Sequence, residues 1–380
     1  MDFSSKLPGI GTSIFTVMST LAKEHNAINL SQGFPDFDCD PKLLELTHKY
    51  VSGGFNQYAP MQGALALREQ IATLMETCYG AYYNPDTEIT ITAGATQGIF
   101  TTIAAFIQKG DEVIVFEPAY DCYTPAIEVN GGIAKPIALE YPGFTINWKT
   151  VKDSITNKTR MILINTPHNP SGTTLTQHDL KELEKLVTGK NIIVVSDEVY
   201  EHMVFDGQLH QSIARFKSLA SQSFIVSSFG KTIHATGWKI GYVAAPKELM
   251  VEFRKVHQYL VFCVNHPFQL ALAEYLKNDD VYKKLCDYYQ TKRDYFRKLI
   301  AGSRFIMEPC TGTYFQVLNY KNITNEKDTD FAIRLTKEKG LASIPLSVFS
   351  THHPQQHLLR FCFAKKEETL KKAAEIICTL

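Results

Sequence analysis

Residues 160–202 read RMILINTPHNPSGTTLTQHDLKELEKLVTGKNIIVVSDEVYEH, and this stretch decides the fold. Two apolar, β-branched runs, RMILIN (160–165) and NIIVVS (191–196), flank a segment with helical spacing. Neither run alternates apolar with polar residues, so these are strands covered on both faces. Between them, TQHDLKELEKLVTGK (176–190) opens on Thr176, an N-cap residue type, with Asp179 three positions on. That is a capping box with Asp in place of Glu or Gln. Gly189 is the stop signal. Strand, helix, strand in this form implies parallel strands of one sheet.

The pattern repeats outward. TEITITA (87–93), DEVIVF (111–116), SFIVSS (223–228) and GYVAAP (241–246) read as strands, and TQGIFTTIAAFIQKG (96–110) as a helix. The expected fold is α/β, a mostly parallel sheet sandwiched by helices. From about residue 285 the chain changes character. Helical KLCDYYQTKRDYFRKLI (284–300), whose aromatics read as helix packing, precedes GTYFQVLN (312–319), KDTDFAIRLTKEKGLASIP (327–345) and LLRFCFA (358–364). The expected organisation is a large domain over 41–284 and a smaller α+β domain over 285–380, joined by an N-terminal segment, 1–40.

The chain has 380 residues, 44% apolar and 21% charged, with 39 basic and 39 acidic side chains. This is the composition of a globular protein with a sizeable core, and no basic field argues for nucleic acid. No apolar run approaches the roughly 20 residues of a membrane helix, and MDFSSKLPGIGTSIF (1–15) lacks the form of a secretory signal. Eight cysteines without a CxxC pair suit reduced thiols in the cytoplasm better than disulfides or structural zinc. His352, His353 and His357 read as loop histidines, and no metal site is expected. His168 and His202 have no assigned role.

In open α/β sheets, ligands bind beyond the carboxyl ends of the strands. The runs above are followed there by GATQG (94–98), EPAY (117–120), TPHNPSG (166–172), DEVYEH (197–202) and FGKT (229–232). Turn chemistry accounts for Gly, Pro and Asn at such places. It does not account for Asp197, Tyr200 and Lys231 together. Gly230-Lys231-Thr232 matches the tail of a Walker loop, but the required first glycine falls on Ile225, inside a strand. The nucleotide-loop reading fails. A lysine that condenses with the aldehyde of pyridoxal phosphate is the alternative. Such a site needs a carboxylate against the ring nitrogen, donors to the phenolic oxygen, amides and cations for the phosphate, and an arginine for a substrate carboxylate.

NTPHNPSG, SDEVYEH and SSFGKT…TGWKIGY, in that order, resemble the class I, fold-type I pyridoxal-phosphate aminotransferases. SQGFPDF (31–37), NQYAPMQG (56–63), PAYDCY (118–123), GTYF (312–315) and LLRFCFAKK (358–366) extend the resemblance over nearly the whole chain. Within the family, IPLSVF (344–349) and RKVHQYLVFCVN (254–265) are most similar to the bacterial methionine aminotransferases and the kynurenine/glutamine group.

The resemblance implies a role for each residue. Lys231 would be the Schiff-base lysine and then the base that moves the substrate α-proton. Asp197 would pair with the pyridinium, Asn169 and Tyr200 would donate to the phenolic oxygen, and Tyr120 would stack on the ring. Gly94, Ala95 and Thr96 open a predicted helix, where free amides favour an anion; with Ser228 and Lys239 they would hold the phosphate. Lys239 stands where the family often has Arg, and Gly230 where many relatives have Ser. Tyr58 would reach the phosphate of a neighbouring subunit, implying a homodimer with shared sites. Arg360, with Gly33 and Asn169, would bind the substrate α-carboxylate. Ile14 and Phe15, in the flexible-looking GTSIF segment, would line the side-chain pocket.

The implied reaction is ping-pong transfer of an amino group from an L-amino acid to a 2-oxo acid. Methionine comes first, then aromatic residues, histidine and glutamine, since no second arginine reads a side-chain carboxylate. Three rivals stand beside it: a C–S β-lyase on the same ligands, kynurenine–oxoglutarate transamination as the main activity, and a non-enzymatic sensor on this scaffold.

Overall fold

The structure is a computed structural model and describes residues 4–352 and 356–380. A two-residue strand, β1 (Ile28–Asn29), comes first. β2 (Ile89–Thr92), β3 (Glu112–Glu117), β4 (Ile133–Ala138), β5 (Thr159–Asn165), β6 (Ile193–Asp197), β7 (Ser223–Ser228) and β8 (Gly241–Ala244) then build one sheet. β9 (Ile306–Met307), β10 (Phe315–Asn319), β11 (Leu341–Ala342), β12 (Ile344–Pro345) and β13 (Leu358–Cys362) follow.

The large sheet runs β2-β8-β7-β6-β5-β3-β4, and its pairs are parallel except the two that β8 makes. The expected mostly parallel α/β sheet is present, with one reversed strand. A second, antiparallel sheet runs β12-β13-β10-β9, and β1 pairs with β11.

Successive side chains of a strand face opposite ways, and here both faces are apolar. Ile114, Ile162, Ile164, Val194 and Ile225 enter one core. Val113, Val115, Met161, Leu163, Val195 and Val226 enter the other, roofed by Ile99 and Ile103 of the helix Ala95–Phe106. That two-sided burial is why the runs do not alternate. Each such side chain contributes about 1.5–3 kcal/mol.

The helix Gln177–Val187 carries both halves of the Thr176/Asp179 capping box, and Gly189 lies just past its C-cap with φ +76°. β4 is a strand the sequence reading lacks. Its IAKPIA contains Pro136, which argues against a central strand. The structure puts it at the sheet edge, paired with β3 alone, where a missing N–H is tolerated. The GTSIF segment runs straight into a helix: Ser13 caps Ile14–Glu24, accepting from the Thr16 N–H at 3.3 Å. Pro8, Gly9 and Gly11 dominate that stretch by eye and mask the cap.

His352 and His357 lie in irregular chain, and His353 lies outside the described residues. Among the described residues, no group of His, Cys, Asp or Glu is placed to hold a metal ion, and no helix is long and apolar enough to cross a membrane.

Candidate active site

The carboxyl ends of β5, β6 and β7 and the start of the helix Ala95–Phe106 open onto one cleft, shared by Lys231, Asp197, Tyr200, Asn169, Tyr120 and Lys239. Its empty space, with the open mouth counted in, comes to about 620 Å³. Lys231 and Asp197, 34 positions apart in sequence, thus face the same space.

Lys231 rides on a single helical turn, Phe229–Thr232, directly after β7. Its Nζ donates to the Gly33 carbonyl at 3.1 Å and to the Tyr314 hydroxyl at 2.8 Å. Burial pushes its pKa down to about 8, and the cations Lys239 and Arg360 push the same way. About a tenth of the amine is therefore neutral at pH 7. A surface lysine would be almost wholly charged.

Asp197 ends β6, buried. Tyr123 donates to one carboxylate oxygen at 2.6 Å, and the Val199 N–H to the other at 3.3 Å. Burial raises its pKa to about 6 against the pull of these bonds, which leaves it mainly ionised at neutral pH. No helix starts at Asp197, so it is not an N-cap.

Arg360, in β13, is 1% exposed. One Nη donates to Asn169 Oδ1 at 2.6 Å and the other to the Ser31 carbonyl at 3.1 Å. The first bond turns the Asn169 oxygen toward the arginine and leaves its amide nitrogen free to donate. Arg360 Nε has no partner among the described residues. A buried, unpaired guanidinium N–H is costly, and an anionic ligand would satisfy it. The rings of Phe315, Phe15 and Phe349 stand 3.9, 5.3 and 5.6 Å from the guanidinium carbon.

At the other end of the cleft, Gly94 N-caps the helix with φ +78°. An added Cβ there would lie 3.2 Å from Lys239 Nζ, so the cradle needs glycine. Ala95, Thr96 and Ser228 line the same end. Gly241 lets β8 approach: a Cβ on it would come 2.5 Å from the Ser227 carbonyl.

Two expected residues stand apart. Tyr58 is 82% exposed, its ring against Phe262, and does not enter this chain's own cleft. Ile14 packs on the core, while Phe15 faces Arg360. His168 is buried, bonded to Ser171 at 2.6 Å, with its pKa driven down to about 4 by burial; it does not line the cleft. His202 packs against Tyr282. Tyr123, Tyr314 and Phe349 were absent from the expected site. Their motifs, PAYDCY, GTYF and IPLSVF, were visible, but nothing in them shows which side chain turns inward.

A buried, partly neutral amine facing a carboxylate, with an anion-binding helix start at one end and a buried arginine at the other, is equipment for imine chemistry on amino acids. The chain belongs to the class I and II aminotransferases, whose family model matches residues 25–377. It is 49% identical over 372 residues to methionine aminotransferase of Escherichia coli, covering 98% of this chain and 96% of that one. A crystal structure of an Escherichia coli protein identified with a methionine aminotransferase function superposes with TM-score 0.98, at 48% identity and full coverage of both chains. N-succinyldiaminopimelate aminotransferase of Mycobacterium tuberculosis superposes with TM-score 0.95, at 34% identity, again over the whole of both chains. Human kynurenine–oxoglutarate transaminase 1 is 30% identical over 405 residues, covering 97% of this chain and 96% of that one.

The protein is therefore an aminotransferase dependent on pyridoxal phosphate. The cleft fits that cofactor. The Gly94–Lys239 cradle at the helix start suits its phosphate, and the buried Asp197 carboxylate suits a protonated ring nitrogen.

Proposed function

We propose that this aminotransferase takes methionine as its preferred amino donor and uses the cleft residues in the roles that the resemblance implies. The observation that carries the substrate is the aromatic wall around Arg360. An α-carboxylate held by that guanidinium puts the substrate side chain among Phe15, Phe315 and Phe349. A thioether gains from such ring contacts, about 0.3–1.5 kcal/mol each. Among the described residues, the cations lining the cleft are Lys231 and Lys239, and Arg360 joins them through Asn169; the proposed roles use all three, which leaves a side-chain carboxylate without a cation of its own. The same wall suits aromatic donors, kynurenine included.

When bound, the cofactor supplies an aldehyde that captures the amine and a ring that accepts an electron pair. The chain supplies the rest. Lys231 Nζ, once free, removes the substrate α-proton, which its lowered pKa allows. Asp197 holds a proton on the ring nitrogen by charge. Asn169 and Tyr200 donate to the phenolic oxygen, and Tyr120 covers the ring. Gly94, Ala95, Thr96, Ser228 and Lys239 hold the phosphate. Arg360 and Gly33 orient the carboxylate.

Incubating the holoprotein with methionine and a 2-oxo acid separates the readings. The expected products are the oxo acid of methionine and a new amino acid. A C–S β-lyase would instead release ammonia and pyruvate from cystathionine, and a sensor would bind the cofactor and convert no amino acid. Kynurenine outpacing methionine would overturn the preference.

Capture of the cofactor has its own pH signature. Only the neutral Lys231 amine attacks an aldehyde, and burial places its pKa at about 8. Capture by the cofactor-free protein should therefore speed up roughly tenfold per pH unit below that value and level off above it. Visible absorbance after rapid mixing measures this. A profile still rising toward the ordinary lysine range would contradict a buried amine.

The working unit is a homodimer with shared sites. Exposed Tyr58, its ring against Phe262, supports that reading, as do the 86% exposure of Tyr259 and the role of the family counterpart of Tyr58. A fully active monomer would contradict it. Eight free cysteines suit the cytoplasm. The division into segments 1–40, 41–284 and 285–380 is supported by the separate sheets and by the pairing of β1 with β11.

A further inference from the structure

Tyr314 sits at the start of β10's approach, fully buried, and has no role in the reading above. Its ring packs edge-on against Tyr200 and Phe315, at 5.2 and 4.9 Å between centroids. Packing alone would be served by phenylalanine. The hydroxyl does something else. It donates to the Gly33 carbonyl and accepts from Lys231 Nζ at 2.8 Å, while the same Nζ donates to Gly33 at 3.1 Å. Amine, phenol and carbonyl close a triangle made from three distant parts of the chain. Gly33 reaches it because the residue lacks a side chain: a Cβ there would come 2.8 Å from the Phe315 ring.

We propose that the Tyr314 hydroxyl and the Gly33 carbonyl form a docking position for the Lys231 amine whenever it is not bonded to the cofactor, fixing both its N–H bonds. A neutral amine has two hydrogens and one lone pair. With both hydrogens engaged, the lone pair is the direction left free to accept the α-proton. Tyr314 is a poor competitor for that proton, because its own hydrogen is committed to Gly33 and a neutral phenol oxygen is far less basic than an amine. Once protonated, the ammonium keeps both acceptors and has its third hydrogen to return. Tyr314 thus touches the reacting atom and sets its aim. The inference rests on the reading of Lys231 as the group that moves the α-proton.

Tyr314→Phe keeps the ring and its contacts and removes the acceptor. In the half-reaction with methionine, kcat should fall about ten- to a hundredfold, the size of one hydrogen bond to a charged partner, while KM changes less than about threefold. The kinetic isotope effect with α-deuterated methionine should rise, because proton transfer becomes slower relative to the other steps. In the cofactor-free protein, amine labelling at Lys231, followed by mass spectrometry against pH, should reach its midpoint about one unit lower, since the lost acceptor favoured the ammonium. Placing 3,5-difluorotyrosine at 314, a weaker acceptor that keeps the hydroxyl, should move all three readouts the same way by less. Unchanged kcat, isotope effect and labelling midpoint would overturn the docking role, as would a rise in KM alone. Neither outcome touches the aminotransferase reading, which falls only if the parent protein fails to convert any amino acid.

Discussion

Lys231→Ala should give a folded protein that neither develops the visible colour of the bound cofactor nor turns over. The loss is of a different order from the trimming of a contact. Lys231 is the amine at the centre of the cleft, and alanine has no atom that can form an imine or carry the α-proton. Removing a nucleophile of this kind typically costs many orders of magnitude in rate. Folding should not suffer. Burial disfavours the Lys231 ammonium, taking its pKa from the ordinary 10.5 to about 8. In the cofactor-free parent, the unfolded chain binds more protons than the native one between those values, so stability rises with pH across that window. Below about pH 8 the full penalty of the buried charge is present. The alanine variant loses both the penalty and the rise. Its melting temperature near neutrality should match or exceed the parent's, read by thermal denaturation alongside the spectrum. Retained turnover would remove Lys231 from the mechanism.

Asp197→Asn should lower kcat by about 10²–10³-fold, the scale found when one preorganised electrostatic group is removed from an active site. The substitution keeps shape and hydrogen-bonding capacity, so KM for the amino acid should barely move. What disappears is the charge that, in the proposed role of Asp197, keeps the ring nitrogen protonated. The stability signature again distinguishes mechanism from misfolding. Burial raises the Asp197 pKa from 3.8 to about 6 in the cofactor-free chain. A group whose folded pKa is raised contributes stability below its unfolded pKa and loses it as pH climbs through the folded one. The parent should therefore lose stability between about pH 4 and 6 from this group, and the asparagine variant should not. Full activity in the variant would show that the carboxylate pairs with nothing essential.

The sheet was legible because two-sided burial leaves a signature in every central strand: RMILIN and NIIVVS have no polar face. The edge strand β4 carries no such mark, and Pro136 speaks against it. The line of strand ends gave most of the site, since a parallel sheet delivers its loops to one rim whatever the tertiary detail. Asp197, Asn169 and Lys231 could be placed from that rule and the resemblance together. Tyr314 could not. It lies 83 positions from Lys231, and their contact depends on how the chain beyond 285 folds back over the sheet. Tyr123 was hidden for a smaller reason: of the two tyrosines in PAYDCY, only the structure shows which one grips Asp197.

The DEVYEH motif held one more surprise. Glu198 and Glu201 turn away from the cleft and are buried. Glu201 accepts from the Tyr79, Ser227 and Tyr242 hydroxyls, and Glu198 pairs with His210 at 2.8 Å. Charge in a motif is usually read as solvated or catalytic; here it pins the turn that follows Asp197 and carries Tyr200.

Borohydride reduction of the yellow holoprotein, followed by peptide mapping, bears most directly on the central claim. The account predicts one phosphopyridoxyl group per chain, on the peptide that contains Lys231. A label on Lys239 or another lysine, or a colour that reduction leaves unattached to the chain, would contradict it.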